Sequence, residues 1–199
     1  PLATGLAWAG KHNGKGQIAV CLFGEGAIHQ GVFHEGLNHA SIWDLPCVFI
    51  AENNKYAMGT EMSRINRQMD IQKKAISYDM AHASINGQDI FDMYLGIKEA
   101  VDRAREESRP TFVDVRTYRY RGHSMSDAAK YRTKEELAEA KGKDPILALR
   151  GDLISFGMAS DEELDAIDAE AKQMAKDGLA AAEKAAFPPD STLHDYLFA

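Results

Sequence analysis

Cysteine is almost absent from this 199-residue chain: Cys21 and Cys47 are its only two, each inside an apolar run. Two such residues make no disulfide framework and read as small buried hydrophobes of a reducing compartment. No apolar run approaches the roughly 18 residues that span a bilayer, so no membrane-crossing helix is expected. A basic surplus is also missing. Lys and Arg number 23 against 30 Asp and Glu, a net charge of −7, which argues against neutralising the phosphates of a nucleic acid. Internal repeats and low-complexity segments are lacking as well. The chain has no starting methionine and opens PLATGLAWAGKHNGKG, which reads as the middle of a helix and its exit. A fragment whose N-terminal part lies outside the sequence is expected, so the lack of a targeting peptide is uninformative.

What is present is 45% hydrophobic and 27% charged, ordinary for a globular α/β or α protein. Residues 2–12 are predicted helical and end at the turn Asn13-Gly14-Lys15-Gly16. The runs 17–23 (QIAVCLF) and 47–52 (CVFIAE) are short and continuously apolar, as in strands of a parallel sheet. A helix predicted over 27–43 joins them and stops before Pro46, which makes a βαβ unit. Further on, the pattern predicts a helix at 70–78, a strand ending in SING (84–87), a helix at 91–108 and a strand at 111–118. Residues 119–132 are an aperiodic loop. Capping boxes at Thr133/Glu136 and Ser160/Glu163 open later helices, with another beginning at Asp144-Pro145. The expected architecture is α/β, a parallel sheet with helices on both faces over residues 1–132, followed by a C-terminal helical extension over 133–199.

Ligands of open α/β sheets bind beyond the carboxyl ends of the strands. Two features fall there: Gly24-Glu25-Gly26 after the first strand and Asn53-Asn54 after the second. Gly26 and Ala27 lead towards a helix N-terminus, a natural anion site, and the glycines permit close approach to the backbone. Carboxylate, amide and backbone carbonyl oxygens suit a hard cation such as Mg²⁺ or Ca²⁺. Either feature alone is more often a cap or a turn. Together at successive strand ends they point to a metal-bridged phosphate or diphosphate.

The stretch from Gly24 to Asn54, continuing through YAMGT, resembles the thiamine diphosphate motif as carried by the α subunits of the 2-oxo acid dehydrogenases. The resemblance implies that Glu25, Asn54 and the Tyr56 carbonyl ligate Mg²⁺, and that Gly26 and Ala27 also meet the cofactor. TYRYRGHSMSD followed by YRTKEEL is similar to the pyruvate and acetoin types of the family. It implies that His123 lies at the cofactor and assists acyl transfer to a lipoyl group. The partners implied are a β subunit in an α₂β₂ heterotetramer, the lipoyl domain of a dihydrolipoamide acyltransferase and a 2-oxo acid; no membrane and no nucleic acid is implied. The segment by itself is expected to be inactive.

Two departures bear on subtype. The motif commonly has Asp where this chain has Glu25, a substitution also carried by branched-chain relatives. Beside Ser124, phosphorylated in animal enzymes, the loop is one residue shorter before Tyr131 and carries Lys130 where those enzymes have a second phosphorylated serine. That favours a bacterial-type, cytoplasmic enzyme over one of the mitochondrial matrix. Acetoin and branched-chain 2-oxo acid dehydrogenases remain alternatives, as does a non-catalytic phosphate-binding α/β module. His29, His34 and His39 follow the Glu25 turn and are expected to be packing or surface residues.

Overall fold

The computed structural model of the chain describes residues 1–195 and Leu197. It divides into two compact units, Pro1–Leu149 and Arg150–Ala199. The first is built on four strands: β1 (Ala19–Gly24), β2 (Cys47–Asn53), β5 (Ala81–Asn86) and β6 (Thr111–Arg116). They pair in the order β1-β2-β6-β5, all parallel. A two-stranded ribbon, β3 (Tyr56–Ala57) and β4 (Thr60–Glu61), follows β2.

Helices cover both faces for a topological reason. The chain steps from β1 to β2 through α2 (Gly31–Ile42) and steps back from β5 to β6 through α4 (Ile90–Glu107). Right-handed crossovers in opposite directions lie on opposite faces. Alternation along β2 then feeds two cores. Cys47, Phe49 and Ala51 join Leu37 and Ala40 of α2 and Phe112, while Val48 and Ile50 join Ala100 and Ala104 of α4 with Val113 and Val115. Phe112 lies between Phe23, whose ring centroid is 6.2 Å away in a stacked arrangement, and Phe33, edge-on at 5.5 Å. The α1 helix (Leu2–Asn13) packs on the first core and ends at Gly14, whose φ of 64° suits glycine.

Several boundaries differ from the sequence expectation. The helix predicted over 27–43 is two pieces: a 3₁₀ turn over Glu25–His29, then α2 from Gly31 after an extended Gln30 at φ −84°, ψ 142°. Ile28, fully buried, and Glu25 pull the first turn inward, which breaks the helical path. The segment expected to be helical at 70–78 is a 3₁₀ helix over Ile71–Tyr78, held by buried Ile71 and Ala75 and ended by Asp79 at φ 50°. The strand expected at 111–118 stops at Arg116, although Thr117 still donates its N–H to the Asn53 carbonyl at 2.9 Å. Only the tail of β5 was legible because it is an edge strand in which Ile85 alone is buried.

The remaining helices are α3 (Met62–Ile65), α5 (Lys134–Lys141), α6 (Pro145–Ser155) and α7 (Asp161–Lys184). At α7 both halves of the Ser160/Glu163 capping box form. At α5 the box is half made: Thr133 accepts from the Glu136 N–H, but the Glu136 carboxylate is used elsewhere. In the second unit Arg150 pairs with Asp161 at 2.6 Å and Asp165 at 2.8 Å, tying the first turns of α7 to the preceding segment. Replacing Phe112 by Ala should cost about 3–5 kcal/mol in urea unfolding, the range for a fully buried aromatic, whereas the same truncation at exposed Val20 should cost far less.

Candidate functional site

The strand register brings the two motif ends together. Gly24 lies opposite Glu52, so Glu25 and Asn54 leave neighbouring strands at the same edge of the sheet. Glu25 Oε2 accepts from both the backbone N–H and the side-chain Nδ2 of Asn54, each at 3.3 Å. Asn54 Oδ1 in turn accepts from the Tyr56 N–H at 3.3 Å. The turn between them is fixed by Asn53, whose Oδ1 accepts from the Lys55 N–H at 3.2 Å, and Lys55 itself takes φ 72°. Left-handed backbone at a non-glycine costs on the order of 1 kcal/mol, so this side-chain bond holds a strained turn. Glu25, Asn54 and Tyr56 therefore form one hydrogen-bonded run.

Its electrostatics are unusual. Glu25 is 1% exposed, and its Oε1 is buried with no partner among the described residues. Burial pushes its carboxyl above the ordinary range, against the lowering effect of backbone N–H groups. Asp114 on β6 is also 1% exposed and raised by burial. Among the described ion pairs none includes either residue. A buried carboxylate without a cation is expensive. The orphaned oxygen, with amide and carbonyl oxygens in the same run, is a donor set suited to a hard divalent cation. The Tyr56 carbonyl accepts from Arg119 Nη1 at 3.3 Å and keeps a second lone pair.

Gly26 and Ala27 have different surroundings. A Cβ on Gly26 would lie 2.8 Å from the Ala57 Cβ, so this glycine is required by the close approach of the Glu25 turn to β3. Around Gly24 there is open space. Ala27 lines an apolar recess with Phe23, Phe33 and Phe49. Since α2 begins at Gly31, the expected helix N-terminus at Gly26-Ala27 is instead the 3₁₀ turn.

The loop after β6 is clasped to this turn by Arg119. Its guanidinium donates to the Tyr56 carbonyl at 3.3 Å, the Met58 carbonyl at 2.6 Å and the Tyr131 hydroxyl at 2.9 Å. Arg132 donates to the Arg119 and Tyr120 carbonyls and lies over the rings of Tyr118 and Tyr131. From α5, Glu136 accepts the hydroxyls of Tyr56 and Tyr118 at 3.1 Å. Burial, with Glu136 beside it, pushes the Tyr56 phenol up to about 12. Asp127 organises the tip: its carboxylate accepts from the N–H groups of His123 at 2.7 Å and Ala129 at 2.8 Å and from Tyr131 at 2.8 Å. A Cβ on Gly122 would lie 2.6 Å from the Asp127 carbonyl, so only glycine fits that closure.

His123 is exposed at this tip, and its imidazole makes no hydrogen bond among the described residues. Its link to Glu25 and Asn54 runs through Arg119. His34 is half-buried against the Tyr78 hydroxyl at 2.7 Å, a packing residue, whereas His29 and His39 are exposed, His39 stacking on the exposed Trp43. Sequence reading missed Asp114, Arg119, Asp127 and Glu136. Asp114 carried a signal, an acid in the middle of the apolar run TFVDV; Glu136 was masked by its fit to a capping box.

With this geometry, comparison with known proteins is specific. Residues 1–190 match the model of the dehydrogenase E1 component family, and the chain belongs to that family. It is 40% identical over 198 residues to the pyruvate dehydrogenase E1 component subunit alpha of Rickettsia bellii, covering all of this chain and 61% of that protein. The corresponding protein of Rhizobium meliloti is 38% identical over 194 residues, 97% of this chain and 56% of its own. The testis-specific mitochondrial form of Rattus norvegicus is 40% identical over 200 residues, all of this chain and 51% of its own. The chain thus spans between half and two thirds of the length of these relatives.

Hydrogen bonds to its ionised form lower Asp127 to about 2. A carboxylate depressed from its ordinary value near 3.9 supports the fold above that value, and the support fades as pH falls towards about 2. The protection factors of the His123 and Ala129 amides, taken against intrinsic exchange at each pH, should accordingly fall over that acid window, and Asp127→Ala should show the low protection already at neutral pH.

Proposed function

We propose that this chain is the cofactor-diphosphate-binding segment of an α subunit that, in the complete enzyme, takes part in the oxidative decarboxylation of pyruvate. The observation that carries the reading is the orphaned Oε1 of buried Glu25, set in a run with Asn54 and Tyr56 at the carboxyl ends of β1 and β2. Glu25, Asn54 Oδ1 and the Tyr56 carbonyl would hold Mg²⁺ for the diphosphate of thiamine diphosphate. The bound cofactor supplies the carbanion chemistry that a 2-oxo acid needs to lose carbon dioxide. The protein holds the cation, keeps water from the buried carboxylate and orients the diphosphate beside the Glu25 turn. The open space over Gly24 is consistent with close approach of a phosphate.

His123 is assigned the proton-handling role in acyl transfer to a lipoyl group, on a loop whose tip is exposed to a visiting domain. The partners are a β subunit in an α₂β₂ assembly and the lipoyl domain of a dihydrolipoamide acyltransferase. The designation of the relatives as alpha subunits supports the first. The bacterial relatives support a cytoplasmic enzyme and the rat relative a mitochondrial one; no described helix is long and apolar enough to cross a membrane. One observation favours the branched-chain reading, the glutamate at position 25, whereas the similarity to pyruvate dehydrogenase subunits favours pyruvate.

In the complete α/β enzyme, Glu25→Ala and Asn54→Ala should each abolish Mg²⁺-dependent binding of thiamine diphosphate in calorimetry. Unchanged affinity in either would refute the ligand set. Turnover should be fastest with pyruvate when pyruvate, 2-oxoisovalerate and acetoin are compared; a preference for 2-oxoisovalerate would favour the branched-chain assignment. Because Glu25 is a buried acid without a cation partner among the described residues, Glu25→Gln should also raise the thermal midpoint of the metal-free protein while removing its response to Mg²⁺.

A further inference from the structure

We propose that Asp114 is a positioning residue for the cation site, acting through Asn53 on the turn that presents Asn54. The inference rests on the Mg²⁺ reading above. Asp114 sits on β6 opposite Ala51 of β2 and Ser84 of β5, in the interior of the sheet and on the face shared by Ala51 and Phe112. Its Oδ1 accepts from Asn53 Nδ2 at 3.0 Å. Asn53 uses its other side-chain atom, Oδ1, for the Lys55 N–H. One carboxylate thus fixes the orientation of an amide whose opposite end fixes a left-handed residue. The next links are Asn54, bonded to Glu25, and Tyr56, bonded to Asn54.

The chain of bonds explains why a carboxylate occupies this interior position. An amide in place of Asn53 without a partner on its Nδ2 could rotate or flip, since its two ends are alike in shape and opposite in hydrogen bonding. Asp114 offers only acceptors, so it dictates that Nδ2 faces the sheet and Oδ1 faces the turn. A hydrophobic residue here would pack well but would leave the Asn53 amide without direction. The cost of burying the acid is expended on the geometry of the turn, away from the cation itself.

The test uses the complete α/β enzyme with saturating thiamine diphosphate and reads cation affinity, by Mg²⁺ calorimetry and by Mn²⁺ spin resonance. Asp114→Ala and Asn53→Ala should each weaken the cation about ten-fold, the equivalent of one hydrogen bond to a charged group. The double variant should weaken it no further than the stronger single variant, as expected for two members of one chain. Asp114→Asn keeps an acceptor oxygen for Asn53 Nδ2 and should recover most of the affinity. If Asp114→Ala fails to assemble, Asn53→Ala, at a half-buried position, carries the test. Unchanged cation affinity in Asn53→Ala, or losses that add in the double variant, would overturn the assignment. So would a lowered thermal midpoint of the cation-free enzyme with wild-type cation affinity in the folded fraction, the signature of a purely structural acid. A wild-type enzyme that binds neither Mg²⁺ nor Mn²⁺ would overturn the site reading itself and this role with it.

Discussion

The contact between Glu25 and Asn54 is the constraint around which the first unit is arranged. It requires two parallel strands side by side, ending level, with a buried acid after one and a half-buried amide after the other. The βαβ connection supplies the adjacency, the Gly26–Ala57 approach supplies the closeness, and Ile28 draws the intervening turn into the core. Stability alone would not choose this arrangement. An acid with one oxygen unpaired inside a protein opposes folding, and natural sequences break local consistency of this kind at functional sites.

A second layer surrounds that contact. Arg119 grips two carbonyls of the β3–β4 ribbon and one hydroxyl of its own loop, Arg132 braces the loop's backbone, and Glu136 receives two tyrosines. These bonds convert an aperiodic, polar stretch into a defined surface beside the strand ends. Asp127 then sets the tip that carries His123. The positive charge of Arg119 also lies within reach of Glu25's field and opposes the effect of burial there.

Much of this was legible beforehand. The continuous apolar runs announced a parallel sheet, and the paired Gly-Glu-Gly and Asn-Asn do meet at one edge of it. What stayed hidden depends on tertiary context. The break between the Glu25 turn and α2 arises because burying Ile28 and Glu25 overrides a helical periodicity that otherwise runs from Ala27 to Trp43. The β5 strand was nearly invisible because an edge strand needs few apolar residues. Glu136 satisfied a local capping rule on paper and a long-range pair of tyrosines in the fold. Arg119 looked like a charge flanking His123, because nothing in a linear reading reveals which carbonyls a long side chain will reach.

The two adjacent asparagines at the end of β2 take different partners. Asn53 looks inward to Asp114 and Asn54 looks across to Glu25. The letters are identical, but the positions are not interchangeable: one bonds a buried acid of β6 and the other a buried acid after β1. The local code is therefore sensitive to phase. A single-residue deletion in β2 would move Asn54 into the place of Asn53 and bring Lys55 to face Glu25, and an insertion would move Asn53 to face Glu25 and leave Glu52 facing Asp114, so either does more harm than many substitutions. Variation among related chains should accordingly avoid length changes between Cys47 and Tyr56 more strictly than changes of residue type.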